Sequence, residues 1–265
     1  AVYEYDDIIL DDFSDGDTAS WEKFDFGTGN GVLSEEDGQI TIGMHQAPRQ
    51  AFFVAATFTS NTYTIEDGVS LEFQVDLIQA NQSDAFTVLS FIPTEAPVSS
   101  LTGYSLAKDD GDVLLAKGLN KYVFEETAGP WVEKPDNITL SLTMTGVGDS
   151  VEVTSRVLDF ENNNEVLYER TVIDKAGVDS MSTGEDDPAA SFVNMPGNFV
   201  LLLYHNDTNG SLPASEIILD NARVAVTGSS EENNPPSIAG IKPSNGSLFL
   251  PASTQISFMV HDDGG

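Results

Sequence analysis

In Val69-Ser70-Leu71-Glu72-Phe73-Gln74-Val75-Asp76-Leu77 every odd position is apolar and every even position is polar. Successive side chains of an extended chain point to opposite faces, so this run specifies a strand with one dry and one wet face. Ile138-Thr139-Leu140-Ser141-Leu142-Thr143-Met144 repeats the pattern, and Val151-Glu152-Val153-Thr154 resumes it after the turn Gly146-Val147-Gly148-Asp149. Residues 51–58, 85–92 and 199–204 are nearly apolar throughout, as expected of strands covered on both faces. Turn-forming clusters separate these runs: Glu66-Asp67-Gly68, Lys108-Asp109-Asp110-Gly111-Asp112 and Glu161-Asn162-Asn163-Asn164. No helical period is sustained over the length of a helix. The pattern predicts about a dozen short strands, an all-β chain folded as a two-sheet antiparallel sandwich of the jelly-roll kind.

Charge restricts what such a sandwich can meet. The chain has 43 acidic and 11 basic residues, a formal charge of −32. A surface this anionic repels nucleic-acid phosphates and anionic membranes, and no Lys/Arg cluster offsets it. No apolar run approaches the roughly 20 residues a bilayer span needs, so no membrane insertion is expected. There is no cysteine, which excludes disulfides, thiolate metal sites and cysteine nucleophiles. The acidic surplus suits a saline medium or a calcium-rich exterior, besides serving general solubility. With 40% hydrophobic residues and 15 phenylalanines, the chain has enough apolar side chains for a packed core.

Composition changes after Val226. Thr227-Gly228-Ser229-Ser230-Glu231-Glu232-Asn233-Asn234-Pro235-Pro236 is small, polar and proline-terminated, the composition of a linker. We therefore divide the chain into a sandwich over residues 1–228, a linker over 229–236 and a separate segment over 237–265. The runs Asn234-Pro235-Pro236-Ser237-Ile238, Lys242-Pro243-Ser244-Asn245-Gly246 and Ile256–Gly264, with its Asp262-Asp263-Gly264 turn, resemble the opening of a bacterial immunoglobulin-like repeat. That resemblance implies a truncated immunoglobulin-like segment at the C-terminus. It also implies a larger secreted or cell-surface bacterial protein, in which other domains of the same chain are partners.

The two ends of the first domain carry a further resemblance. Asp11-Asp12-Phe13-Ser14-Asp15-Gly16-Asp17, followed by Trp21, opens it, and Glu216-Ile217-Ile218-Leu219-Asp220-Asn221-Ala222-Arg223-Val224 closes it. The pairing is similar to the concanavalin A-like and carbohydrate-binding jelly rolls, over roughly residues 11–226. In several such families the first loop and last strand share a structural calcium ion. The match to that pattern makes Asp12, Asp15, Asp17 and Asp220 the candidate ligands. Calcium takes six to eight oxygens, which closely spaced carboxylates and backbone carbonyls supply. An ordinary acidic turn is the competing account. Trp21 is assigned to the core beside this loop.

Little in the sequence supports catalysis. The three histidines do not stand at metal-binding spacing, and no Gly-x-Ser-x-Gly elbow is present. Glycoside hydrolysis needs two carboxylates about 5 Å apart for retention and farther for inversion. The Glu-x-Asp-x-x-Glu pattern of laminarinase-type sandwich hydrolases is missing, and Glu72 and Asp76, on one strand face, stand roughly 13 Å apart. Sugar binding asks instead for aromatic platforms and planar polar groups on a rigid sheet or its loops. Candidates are Trp131 in the Gly129-Pro130-Trp131 loop, Tyr104 and Tyr122 on flanking strands, and Glu72, Gln74 and Arg156 on polar strand faces. Arg156 is one of only four arginines. A non-catalytic, lectin-like carbohydrate-binding module with a polysaccharide or glycan partner is the leading expectation. A structural or adhesive spacer without a sugar site, and a glycan-active hydrolase or lyase, are the alternatives.

Overall fold

The alternating run at 69–77 becomes the middle strand of one sheet, and the near-continuous apolar runs become the centre of the other. The structure, a computed structural model, describes residues 8–26, 31–44, 52–59, 61–78, 86–96, 102–109, 112–117, 123–128, 135–175, 191–205, 215–228, 237–242 and 257–261. The strands of the first half are β1 (Ile8–Asp11), β2 (Trp21–Phe26), β3 (Gly31–Glu36), β4 (Gln39–Met44), β5 (Phe52–Phe58), β6 (Tyr63–Thr64), β7 (Val69–Ile78) and β8 (Phe86–Pro93). Those of the second half are β9 (Tyr104–Asp109), β10 (Asp112–Lys117), β11 (Val123–Ala128), β12 (Ile138–Val147), β13 (Ser150–Asp159), β14 (Glu165–Lys175), β15 (Pro196–His205) and β16 (Ser215–Gly228). They form two eight-stranded antiparallel sheets. The first runs β14-β13-β12-β7-β16-β4-β3 with β1 on β16, and the second runs β11-β10-β9-β8-β15-β5-β2 with β6 on β15. The fold is therefore the all-β sandwich that the alternation predicts, with no α-helix among the described residues. Ser237–Lys242 and Ser257–His261 pair antiparallel as a separate two-stranded sheet.

The sheets meet over one continuous core. Phe73 of β7 packs against Phe199 of β15 with ring centroids 4.7 Å apart, and Phe199 packs against Trp21 of β2 at 6.0 Å. Phe13, in the opening loop, meets Trp21 at 5.9 Å and is fully buried. The loop is thereby anchored to the core through aromatic edge and tilt contacts. Trp21 is buried, as expected, and its indole Nε1 donates to Asp11 Oδ2 at 2.7 Å.

The outer faces differ. Ala55, Val88, Ile92, Ala107, Val200 and Leu202 form a second buried apolar cluster on the far side of the second sheet. Cross-strand register aligns Ala55, Leu202, Val88, Ala107 and Leu114 in one row across five strands. This accounts for the apolar runs: both faces of β5, β8 and β15 are dry. The outer face of the first sheet carries the polar half of each alternation instead.

Local chemistry fixes the turns. β3 and β4 are joined by Asp37-Gly38, both at positive φ (54° and 77°), the backbone that a two-residue type I′ hairpin requires. Gly103 lies so close to β8 that a Cβ there would sit 2.0 Å from the Phe91 carbonyl oxygen.

Phe73→Ala opens a cavity where rings from both sheets meet, and we expect a loss of about 3–5 kcal/mol. Val166→Ala, at a half-exposed position of β14, changes stability by no more than about 0.5 kcal/mol. Urea unfolding of the two variants checks both expectations.

Candidate functional site

The opening loop is built from aspartates that fold it locally. Asp11, Asp12, Asp15 and Asp17 each accept the backbone amide two residues on, from Phe13, Ser14, Asp17 and Ala19. These are Asx turns, for which aspartate is suited because its short side chain mimics a backbone carbonyl. Phe13 takes φ +52° within this series, a rare conformation for a bulky residue, and its burial holds it there.

The carboxylates that converge are not the four expected. One oxygen from each of Asp11, Asp15 and Glu35 lies within 4.8 Å of the others. Asp15 is common to both sets, whereas Asp12, Asp17 and Asp220 fall outside the cluster. Asp12 is engaged with Ser14, whose side chain and amide hold its carboxyl below the ordinary aspartate value. Asp17 caps Ala19. Asp220 accepts the Asn221 amide in a bulge of β16, between Asp220 and Arg223, where Asn221 sits at φ +48°. Burial pushes the Asp220 carboxyl up; the Asn221 amide and Arg223 oppose this, while Asp76 and Asp12 add to it.

Glu35 comes from β3 and reaches the loop because the Asp37-Gly38 hairpin folds that strand under it. Its Oε1 accepts the Gly16 amide at 2.7 Å, and its Oε2 is buried without a hydrogen-bond partner. Loss of hydration pushes the Glu35 carboxyl above its ordinary value, against the Gly16 amide, and Asp15 and Asp11 push it further. Three oxygens in one place, one lacking a donor, make a set that a hard cation satisfies. Sequence distance hid Glu35, which lies far along the chain from the loop it completes.

A second grouping lies on the outer face of the first sheet. Register places Glu169, Arg156, Ser141, Gln74 and Arg223 in one cross-strand row, and Thr171, Thr154, Thr143, Glu72 and Ala225 in the next. Glu72, Gln74 and Arg156, all expected from the sequence, thus share a face, with Gln74 and Arg156 about 10 Å apart at two strand spacings. Gln74 Nε2 donates to Glu72 Oε1 at 2.8 Å, and the Ser141 hydroxyl donates to the same oxygen. Arg156 Nε donates to Glu169 at 2.5 Å, and its Nη1 to Thr143 at 3.5 Å. Asp76 is buried, and its carboxylate accepts from Arg223, the Thr139 hydroxyl and the Asn221 amide group. It is a structural acid that clamps the β16 bulge to β7 and β12.

Tyr104 requires a correction. It stands in phase with Leu106, points into the core, and is fully buried. Its hydroxyl donates to Asp174 at 2.5 Å, so its ring offers no platform to a ligand in solvent. Trp131 and Tyr122 lie outside the described residues. On the second sheet, the outward row Ala55, Leu202, Val88, Ala107 and Leu114 is apolar, and Asp109 pairs in register with Asp112 where β9 meets β10.

No protein-family model matches the chain, and no curated protein matches it in sequence. Among solved structures it is similar to the endo-1,3-beta-glucanase from Streptomyces sioyaensis. That likeness has 12% identity and a TM-score of 0.52, over 86% of this chain and 97% of that one. A structure titled for endo-acting O-glycanases of the human gut microbiota gives 13% identity and TM-score 0.49, over 86% and 100% of the two chains. The Emp46p carbohydrate recognition domain gives 9% and 0.47, over 85% and 97%. At these identities the first likeness speaks for the jelly-roll fold alone, and the other two carry no further argument.

Because the folded state favours the neutral form of Glu35, its contribution without a cation is most favourable at acidic pH. That contribution is lost as pH rises from the ordinary glutamate value through the raised one. In chelator at neutral pH, Glu35→Gln therefore melts at or above the parent, with a flatter acid-to-neutral stability profile. A melting series across that range checks the sign; a destabilised variant with an unchanged profile would refute the clustered-charge account.

Proposed function

We propose that residues 1–228 are a non-catalytic glycan-binding module of a larger secreted or cell-surface bacterial protein, with a structural calcium ion at the acidic junction. The carrying observation is the polar outer face of the first sheet, where Glu72, Gln74 and Arg156 stand in adjoining rows. Rigid strands present an amide, a carboxylate and a guanidinium there, the groups that bind sugar hydroxyls in directed pairs. Trp131 supplies the stacking ring in this reading. The anionic surface directs the module toward neutral glycans, or acidic ones through bridging calcium. The segment after the linker is read as the start of an immunoglobulin-like domain, a spacer to further domains. The module then raises the local concentration of its parent protein on a polysaccharide.

The calcium part of the proposal rests on the donor set. Asp11, Asp15 and Glu35 are hard oxygen ligands, and Glu35 Oε2 is a buried acceptor with no hydrogen-bond partner. The ion would neutralise their mutual repulsion and tie the β3–β4 hairpin to the loop that carries Phe13.

A specific observation favours the spacer reading. The polar groups of the first sheet are already paired with one another: Gln74 with Glu72, Arg156 with Glu169, Asp76 with Arg223. A glycan would have to displace some of these bonds or add to them.

A glycan array run with calcium and again with chelator separates the readings. We expect retention of a defined polysaccharide, weakened about tenfold or more by Arg156→Ala, Gln74→Ala or Trp131→Ala at unchanged melting temperature. Silence in both conditions would leave the spacer. Separately, calcium at about a hundred times its dissociation constant should stabilise the fold by about 2.7 kcal/mol. Asp11→Asn and Glu35→Gln should abolish that gain in thermal unfolding, and Asp12→Asn and Asp17→Asn should keep it.

A further inference from the structure

Across the interior from the glycan face, a lysine and an aspartate from different sheets meet in a closed apolar setting. Lys117, at the end of β10, points inward and pairs in register with Tyr104 of β9. Asp174, on β14 of the other sheet, pairs with the core residue Val151. Lys117 Nζ lies 2.8 Å from Asp174 Oδ2 and 3.0 Å from Oδ1, and the two side chains are only 3% and 5% exposed. Tyr104 Oη donates to Oδ2 at 2.5 Å and itself accepts the Phe192 amide at 3.3 Å. The Phe192 ring covers the pair, with Lys117 Nζ 5.1 Å from its centroid and the Tyr104 ring 4.9 Å away.

As a plain ion pair this is a costly arrangement. Two charges taken out of water lose hydration that their mutual attraction barely repays, and an apolar pair of similar volume does as well or better. The contact has the parts of a condensation instead: an amine, a carboxyl group, a hydroxyl donor on one carboxyl oxygen, and exclusion of water. Because Nζ spans both oxygens, it stands on the order of 3 Å from the carboxyl carbon between them, a near-attack separation.

We propose that Lys117 and Asp174 are joined by an intramolecular amide bond, formed after folding without a cofactor. The step begins with transfer of a proton from the ammonium to the carboxylate, giving an amine and a carboxylic acid with no change in net charge. The Nζ lone pair attacks Cγ, and the carbonyl electron pair moves onto Oδ2, where the Tyr104 hydroxyl stabilises it. The tetrahedral intermediate then collapses. The Cγ–Oδ1 bond breaks, and the departing hydroxyl takes a proton from nitrogen and leaves as water. One C–N bond forms, one C–O bond breaks, and no oxidant or reductant is needed. Exclusion of water opposes the reverse hydrolysis. In a chain without cysteine, this bond links the two sheets directly, between anchors 57 positions apart in the sequence. A cross-link of that kind restricts the unfolded chain as a disulfide does.

The test is the intact mass of the full chain, purified in its folded form and then denatured. The expected mass is about 18 Da below that of the sequence, one water lost. Digestion should yield a branched peptide containing Lys117 and Asp174. Lys117→Ala and Asp174→Ala should each show their own full sequence mass, and this readout holds whether or not the variants fold well. Tyr104→Phe should leave a large unlinked fraction; complete linkage there would overturn the role given to Tyr104. A parent chain at its full sequence mass would overturn the bond itself. Glycan retention and calcium response play no part in this measurement.

Discussion

The contact between Phe73 and Phe199, with centroids 4.7 Å apart, joins the middle strands of two sheets that have no ladder hydrogen bonds in common. β7 reaches it because strict alternation sends Phe73, Leu71 and Val75 to one side and Glu72, Gln74 and Asp76 to the other. A slip of one residue in its pairing with β12 or β16 would exchange those sets, turning two acids and a glutamine into the apolar core. Register, core and polar face are thus one decision. From this centre the rings of Trp21 and Phe13 extend the packing outward, which is why an acidic, turn-rich opening segment sits firmly against the fold.

Charge is handled in two contrasting ways. Around Asp76 every need is met inside the sheet: a guanidinium, a hydroxyl and an amide converge on one buried carboxylate, and the β16 bulge exists where they do so. At the opening loop the acids are met by neutral donors instead. Asp11, Asp15 and Glu35 gather with backbone amides and an indole N–H as their hydrogen-bond donors, and among the described residues no cationic side chain forms an ion pair with them. The first arrangement holds the sheet together. The second leaves electrostatic repulsion that an external cation can relieve.

Strands were legible because their signal is local. The alternation at 69–77 and 138–144, the turn after Val147 and the doubly covered runs at 51–58, 85–92 and 199–204 all depend on neighbours a few residues away. The acidic junction was legible only in part, since a run of aspartates marks the loop but not the partner that topology brings to it. Glu35 belongs to a hairpin strand whose sequence reads as exposed acid. Tyr104 was misplaced for a related reason. Serine on one side and leucine beyond it leave the phase of a short strand ambiguous, and the buried Asp174, which accepts its hydroxyl, looks like a surface residue in the sequence, as does Lys117 beside it. The phase shared with Leu106 was the available signal. Glu72, Gln74 and Arg156 came out on one face because strand parity alone decides that.

The unequal covering of the two sheets has an evolutionary consequence. On the second sheet, a change at almost any central position meets packed atoms, whichever way the side chain points. On the first, the outer rows away from the Asp76 clamp consist largely of polar side chains paired with one another, and can be exchanged with less disturbance to the interior. Drift and selection are therefore free to rewrite one broad side of the molecule while the other is held nearly constant. Diverged descendants of such a chain would keep their architecture long after their recognition chemistry had changed.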